Sequence, residues 1–133
     1  MHELIEQLQA LNEPVPVPLE LASFEQLVEV EEQILISLPR ELKVYLMEAS
    51  DVVYGHIEPV TASDPQSHTY LPEVTCYAWS IGLPRELIAI CQQGDNFYCI
   101  DQDGQVHFWK NGRFVGEVFE SFWHWVDRVW LNN

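Results

Sequence analysis

Basic residues are what this chain has least of: 6 Lys and Arg stand against 21 Asp and Glu in 133 residues, a formal charge of −15. Nucleic acids and anionic membranes are held chiefly by Lys and Arg that neutralise phosphates, so a deficit of that size argues against both as partners. Cysteine is scarce too. Three residues, an odd number with no C-x-x-C pair, argue against a disulfide framework and against a common structural zinc site, and the thiols are expected to be reduced. No apolar stretch approaches the roughly 20 residues that a bilayer requires. The opening MHELIEQLQ lacks the basic start and apolar core of a secretory leader, so the expected location is the cytoplasm. The six glycines build neither a phosphate-cradling loop nor a G-x-S-x-G elbow, and no helix carries a paired His.

Apolar residues are in ordinary supply at 47%, enough for one domain with a proper core and hardly enough for two. The excess of negative charge would attract a basic partner and speed encounter with it, and it serves equally for solubility.

Along the chain, Leu4, Ile5, Leu8 and Leu11 form an apolar stripe that predicts an N-terminal helix ending near Asn12. EPVPVPLEL follows as an extended connector, since its alternating prolines forbid a helix. Residues 1–22 thus read as a helix and Pro-rich connector ahead of a domain spanning 23–131. Ser23 and Gln26 have capping-box spacing, and Phe24, Leu27, Val28, Ile34 and Leu35 give the helix that follows one apolar face. The pentapeptide LPREL occurs at 38–42 and again at 83–87. After the first copy Leu42, Tyr45, Leu46 and Ala49 keep helical spacing, with Pro39 suited to a first turn. After the second, IAICQQGDNFYCI reads as strand, turn, strand, so the two copies are not a structural repeat.

The two helices predict a hairpin. Past Asp51, VVYGHIEPV predicts a strand with a bulge or close backbone approach at Gly55. TASDPQSH at 61–68 is turn chemistry throughout, and LPEVTCYAWSIG is a looser stretch compatible with a short helix. Turns at Gly94-Asp95-Asn96, Asp103-Gly104 and Asn111-Gly112 join LIAICQ, FYCID, VHFW and RFVGEVF into an antiparallel meander. Phe119, Phe122, Trp123, Val126, Val129 and Trp130 sit at offsets of three and four, which predicts a C-terminal helix whose aromatic face covers the sheet. The fold class is α+β: a single domain with a meander of about four to five strands packed against helices, a helical hairpin ahead and a covering helix behind.

If the turns are hairpins, Cys91 faces Cys99 and Cys99 faces His107 across neighbouring strands. That row holds the donors of a Cys-His nucleophile pair or of a soft metal site. Against it, Phe97 and Trp109 share the same face, Cys is commonly buried as a small hydrophobe, and no third group is evident to orient His107. The expectation is a packing row, with no enzyme activity, no cofactor and no metal. Asp101-x-Asp103-Gly104 has the centre of a calcium loop, but Cys99 and Lys110 occupy its first and last ligand positions. His56, His68 and His124 fall on different elements. Trp123 and Trp130 belong to the core stripe. Trp79, Trp109 and Trp125 fit either a core or a contact surface, and periodicity does not choose between them.

The order of the motifs is more specific than any one of them. Glu31, then Leu38-Pro39 seven and eight positions on, then a helix and Tyr54-Gly55, resembles the opening of the SUKH superfamily, which includes the fungal Smi/Knr cell-wall regulators and many bacterial proteins. LPRELIAICQQGDNFYCIDQDGQVHFW resembles the central meander of that family, and SFWHWVDRVW is similar to its closing SF…F helix. One departure is Ser50-Asp51, which stands where the family commonly has Asn-Gly. The resemblance implies a single α+β domain with no catalytic residues to carry over. For bacterial members it implies an immunity protein that binds and neutralises a toxin made by the same cell or its kin. The partner is then a basic protein, and the turn and loop acids Asp51, Asp64, Asp95, Asp101 and Asp103 are the expected binding residues, with Tyr98 and Trp109 as aromatic anchors. The alternative from another class is a housekeeping regulator or scaffold of the same fold that has no toxin partner.

Overall fold

The computed structural model describes residues 2–133. Its helices are α1 (His2–Leu11), α2 (Phe24–Ile34), α3 (Arg40–Glu48), α4 (Leu71–Ser80) and α5 (Phe122–Trp125), the last running into a π-helical turn at Val126–Trp130. Its strands are β1 (Ile88–Gln93), β2 (Asn96–Ile100), β3 (Val106–Lys110) and β4 (Arg113–Phe119). They form one antiparallel sheet in the order β1-β2-β3-β4, so the architecture is α+β with the expected meander. Among the described residues no helix is long and apolar enough to cross a membrane.

Local chemistry explains the helical half. Ser23 Oγ accepts from Gln26 N at 3.2 Å while Gln26 Oε1 accepts from Ser23 N at 2.8 Å, a reciprocal capping box at the start of α2. Glu31, near the end of α2, accepts from Leu38 N at 2.7 Å and lies 3.4 Å from Lys43 Nζ. The Glu31-to-Leu38 spacing is therefore a clasp that fixes the turn between α2 and α3. Glu41 of the first LPREL accepts from Phe122 N at 3.0 Å, and Ser121 Oγ caps α5 by accepting from His124 N at 3.0 Å. LPEVTCYAWS, which reads as loose in sequence, is a full helix with Pro72 in its first turn, and it packs on β1 and α2.

The segment VVYGHIEPV departs from expectation, for it is no regular strand. Gly55, at φ +63°, turns the chain so that Tyr54 bridges Ile57. Pro59 then makes a single bridge with Cys91, since it has no N–H to extend a ladder. The C-terminal segment forms the expected covering helix but differs in detail. Phe119 closes β4 opposite Val106 and does not begin the helix. Leu131 N donates to Val126 O at 2.9 Å, a bond five residues back, which widens the turn. At that period Trp125 and Trp130 fall on one side, and both are fully buried. Phe122 packs on Tyr45 of α3 at 5.0 Å between ring centroids, and Trp125 packs on Tyr98 of the sheet at 5.4 Å.

At the sheet's margins the two edges differ. Ile88 to Cys91 of β1 are all buried, so that strand is covered on both faces. β4 is exposed except at Phe119, and a step of two residues on β3 there spans a step of four on β4. Gly116, at φ +75°, takes up the bulge, which turns this open edge away from pairing with another strand. The N-terminal arm lies along the turn after α3. Leu8 is fully buried, Asn12 Oδ1 accepts from Val53 N at 2.8 Å, and Glu13 N donates to Val53 O at 2.7 Å.

Candidate partner-binding groove

The five acids singled out from the sequence do not converge on one spot. Asp51 accepts from Gln9 Nε2 at 3.0 Å and so fastens α1. Asp101 accepts from Asp103 N at 3.0 Å and Gln105 N at 2.9 Å through one oxygen and meets His107 Nε2 at 2.9 Å through the other, closing the β2–β3 turn. Asp103 is exposed at that turn. Asp64 accepts from Gln66 N at 2.9 Å. Asp95 accepts from Tyr77 Oη at 2.7 Å, a bond that raises the tyrosine pKa above its ordinary value.

Neither expected aromatic anchor stands out on the surface. Trp109 is only 4% exposed and packs on Phe97, with ring centroids 6.3 Å apart. Tyr98 is half-buried among Phe108 and Trp125. The physical reason is that the middle of the sheet is covered on both faces, by α4 through the Tyr77–Phe97 contact and by α5 through the Tyr98–Trp125 contact. Trp125 is core, and half-buried Trp79 donates from Nε1 to Leu87 O at 2.9 Å beneath the Arg85 guanidinium.

The cysteine row is half as expected. Cys99 stands opposite His107, but a bulge between Ala89 and Cys91 sets Ala89 against Cys99 and Cys91 against Tyr98. A third group does hold the imidazole, namely Asp101. The sulfur, however, points elsewhere: Cys99 Sγ donates to the His107 carbonyl at 3.6 Å. Burial pushes both the Cys91 and the Cys99 thiols up to about 12, so at neutral pH neither is a thiolate nucleophile.

Open space gathers instead around His68, which borders four adjoining hollows. One of them is a mainly apolar cavity of about 220 Å³ between the Pro-rich connector, through Val15, Val17 and Leu19, and the segment that carries Val52, Ile57 and Pro59. Its polar surface comes from Tyr45, Ser50, Thr61, Ser67 and Thr69, and from Glu58 and His68, whose Oε1 and Nε2 are 2.9 Å apart. Next to it a hollow of about 470 Å³ is lined by Glu20, Ser63 and Asp64. On the other flank, hollows of about 190 and 320 Å³ reach Glu73, Gln92 and Tyr77, beside Asp95. Together these make a groove with Glu20, Glu58, Asp64 and Glu73 along it. Among the described residues, no Lys or Arg lines any of the four hollows.

Of the acids expected from sequence, the structure thus places Asp64 in the lining of this groove and Asp95 outside it, on Tyr77 of the lining, and gives Asp51 and Asp101 to backbone and side-chain fastening. Glu20, Glu58 and Glu73 were not expected. A sequence signal existed for the middle of the groove, since EPVTASDPQSH mixes acids and hydroxyls in a turn-rich run.

Comparison with known proteins adds an independent finding. A family profile described as SMI1-KNR4 cell-wall, of SUKH type, matches residues 1–131. No curated protein sequence matches the chain. Among solved structures, the crystal structure of a protein from Pseudomonas syringae pv. tomato is 56% identical, with 100% of each chain covered and a TM-score of 0.96.

Proposed function

The chain belongs to the SMI1-KNR4 family of SUKH type, and from that premise we propose that it is a non-enzymatic, protein-binding module of the immunity kind, which binds and neutralises a basic toxin. The observation that carries this is the groove around His68, lined by four carboxylates and by no Lys or Arg among the described residues. Set in a chain of formal charge −15, such a groove draws a cationic surface by long-range attraction and disfavours acidic competitors. Neutralisation then follows from occupancy, since a toxin whose basic working surface is covered cannot reach its target. The buried, protonated thiols support action without covalent chemistry. The three cysteines are unpaired, which suits an encounter in the reducing cytoplasm.

The test is capture by the immobilised chain from source-cell lysate, followed by purification of the retained protein and co-expression of the pair. The expected result is one basic protein, bound with an on-rate that falls as salt rises, whose growth inhibition is relieved by co-expression. An acidic partner, or growth inhibition that co-expression leaves unchanged, would refute the proposal.

A further inference from the structure

The 220 Å³ cavity between the flanking hollows of the groove has a chemical character that narrows what it takes. Most of its hydroxyl hydrogens are already donated inside the protein. Tyr45 Oη donates to Val60 O at 3.0 Å, and Ser50 Oγ donates to Leu46 O at 2.6 Å. Thr69 Oγ1 lies 2.8 Å from Thr61 Oγ1 and 2.9 Å from Ser67 Oγ, so this trio holds most of its own hydrogens, and Ser67 Oγ also accepts from Thr69 N at 3.2 Å. A hydroxyl has one hydrogen and two lone pairs, so what these groups turn toward the cavity is mainly oxygen lone pairs. Glu58 contributes a carboxylate that, ionised, can only accept. These are built-in features, for Tyr45, Ser50, Thr61 and Thr69 are exposed by only 1%, 1%, 3% and 9%.

An acceptor-rich space with aliphatic walls repels another acceptor and leaves a purely apolar group without use for its oxygens. It suits an alkyl stem that ends in a donor-only head. We propose that this cavity is an anchor pocket for one arginine side chain of the partner protein. The stem lies along Val17, Leu19 and Ile57, and the guanidinium faces Thr61, Thr69 and Glu58. Arginine is chosen over lysine because its planar head offers five donors and is more weakly hydrated, which matches several acceptors set among apolar walls. His68 Nε2 engages Glu58 Oε1 at 2.9 Å in the unbound chain, which leaves Oε2 for the incoming guanidinium. The proposal rests on the protein-binding function above and specifies how that partner is gripped.

The test is an NMR titration of the isotope-labelled full chain with N-acetyl-arginine N-methylamide, alongside the citrulline, lysine and norleucine counterparts. Arginine is expected to give saturable amide shifts confined to residues around Val17, Val53, Thr61 and Thr69. Citrulline, which keeps the shape without the charge, and norleucine, which keeps only the stem, are expected to bind at least about tenfold more weakly, with lysine in between. Glu58→Gln is expected to weaken arginine about tenfold or more while leaving the rest of the spectrum in place, because the Glu58 side chain is 62% exposed and its loss does not disturb the core. Shifts that spread without saturating, equal binding of norleucine or citrulline, or an unchanged Kd in Glu58→Gln would each overturn the pocket. A failure here would leave the protein-binding function to be judged by its captured partner. Arginine binding in a chain that captures no protein would instead uphold the pocket and sink that function.

Discussion

Glu31 ties two helices through a single carboxylate, and its surroundings say which of its two bonds matters. Leu38 N is a backbone donor with one acceptor at 2.7 Å, whereas Lys43 Nζ is a flexible ammonium 3.4 Å away whose side chain is 39% exposed. Removing an acceptor from a partly buried N–H costs about 1–2 kcal/mol, and removing one partner of a solvated ion pair costs less than about 1 kcal/mol. Glu31→Ala is therefore expected to lower the urea midpoint clearly and Lys43→Ala barely, in equilibrium unfolding of the two variants side by side. The thiols make a pH prediction at the same scale. Cys91 and Cys99 are pushed up from 9.0 to about 12 by burial, so between those values the folded chain keeps protons that the unfolded chain releases. Their contribution is fully present below about pH 9 and is lost as pH rises toward 12, with a slope of up to about 1.4 kcal/mol per pH unit for each thiol. Denaturant unfolding across that window should show stability falling, and Cys91→Ala and Cys99→Ala should each flatten the fall. Exposed Cys76 is the thiol expected to react with iodoacetamide in the native protein.

Elements were legible where one local rule decided them. The capping box at Ser23 and Gln26 sets the start of α2, and both of its bonds are formed. Ser23→Ala is expected to cost about 1 kcal/mol, read from the thermal midpoint, with Ser23→Asp largely restoring it. The meander was legible because three turn signals separate four aromatic or β-branched runs. Elements were illegible where two rules competed. VVYGHIEPV has strand composition, but Gly55 and Pro59 reduce it to isolated bridges. The ending FWHWVDRVW is the helix its spacing predicts, but its π turn brings Trp125 and Trp130 together at an offset of five, outside any stripe with a 3.6-residue period, so the burial of Trp125 could not be read. A bulge did the same to the cysteine row, since one unpaired residue in β1 moved Cys91 past Cys99. Period arguments assume regular geometry, and each of these differences marks a place where the backbone leaves it.

At the scale of the molecule, composition disclosed how much charge there is but not where it goes. The groove joins Val17, Tyr45, Glu58 and Thr69, residues far apart in sequence. They meet because α1 is clasped to the turn after α3, through Asn12 and Glu13 on Val53, which lays the Pro-rich connector over the 57–69 segment. No motif announces such a meeting, so Glu20, Glu58 and Glu73 carry no sequence signal of it, whereas Asp64 and Asp95 sit in recognisable turns. Placement can be tested separately from total charge. Consider Glu20→Gln, Asp64→Asn and Glu73→Gln combined in one variant, and Glu32→Gln, Asp103→Asn and Glu117→Gln, outside the groove linings, combined in another. Both carry the same formal charge, so a field that depends only on net charge would slow a fluorescent hexa-arginine peptide equally in stopped-flow association at low salt. If the groove focuses the field, the first variant is expected to lose severalfold in on-rate and the second to stay close to the parent. The difference should shrink as salt shortens the screening length to about 8 Å. Equal slowing in both variants would mean that the acids act as a diffuse cloud, and the groove would then lose its claim as the docking surface.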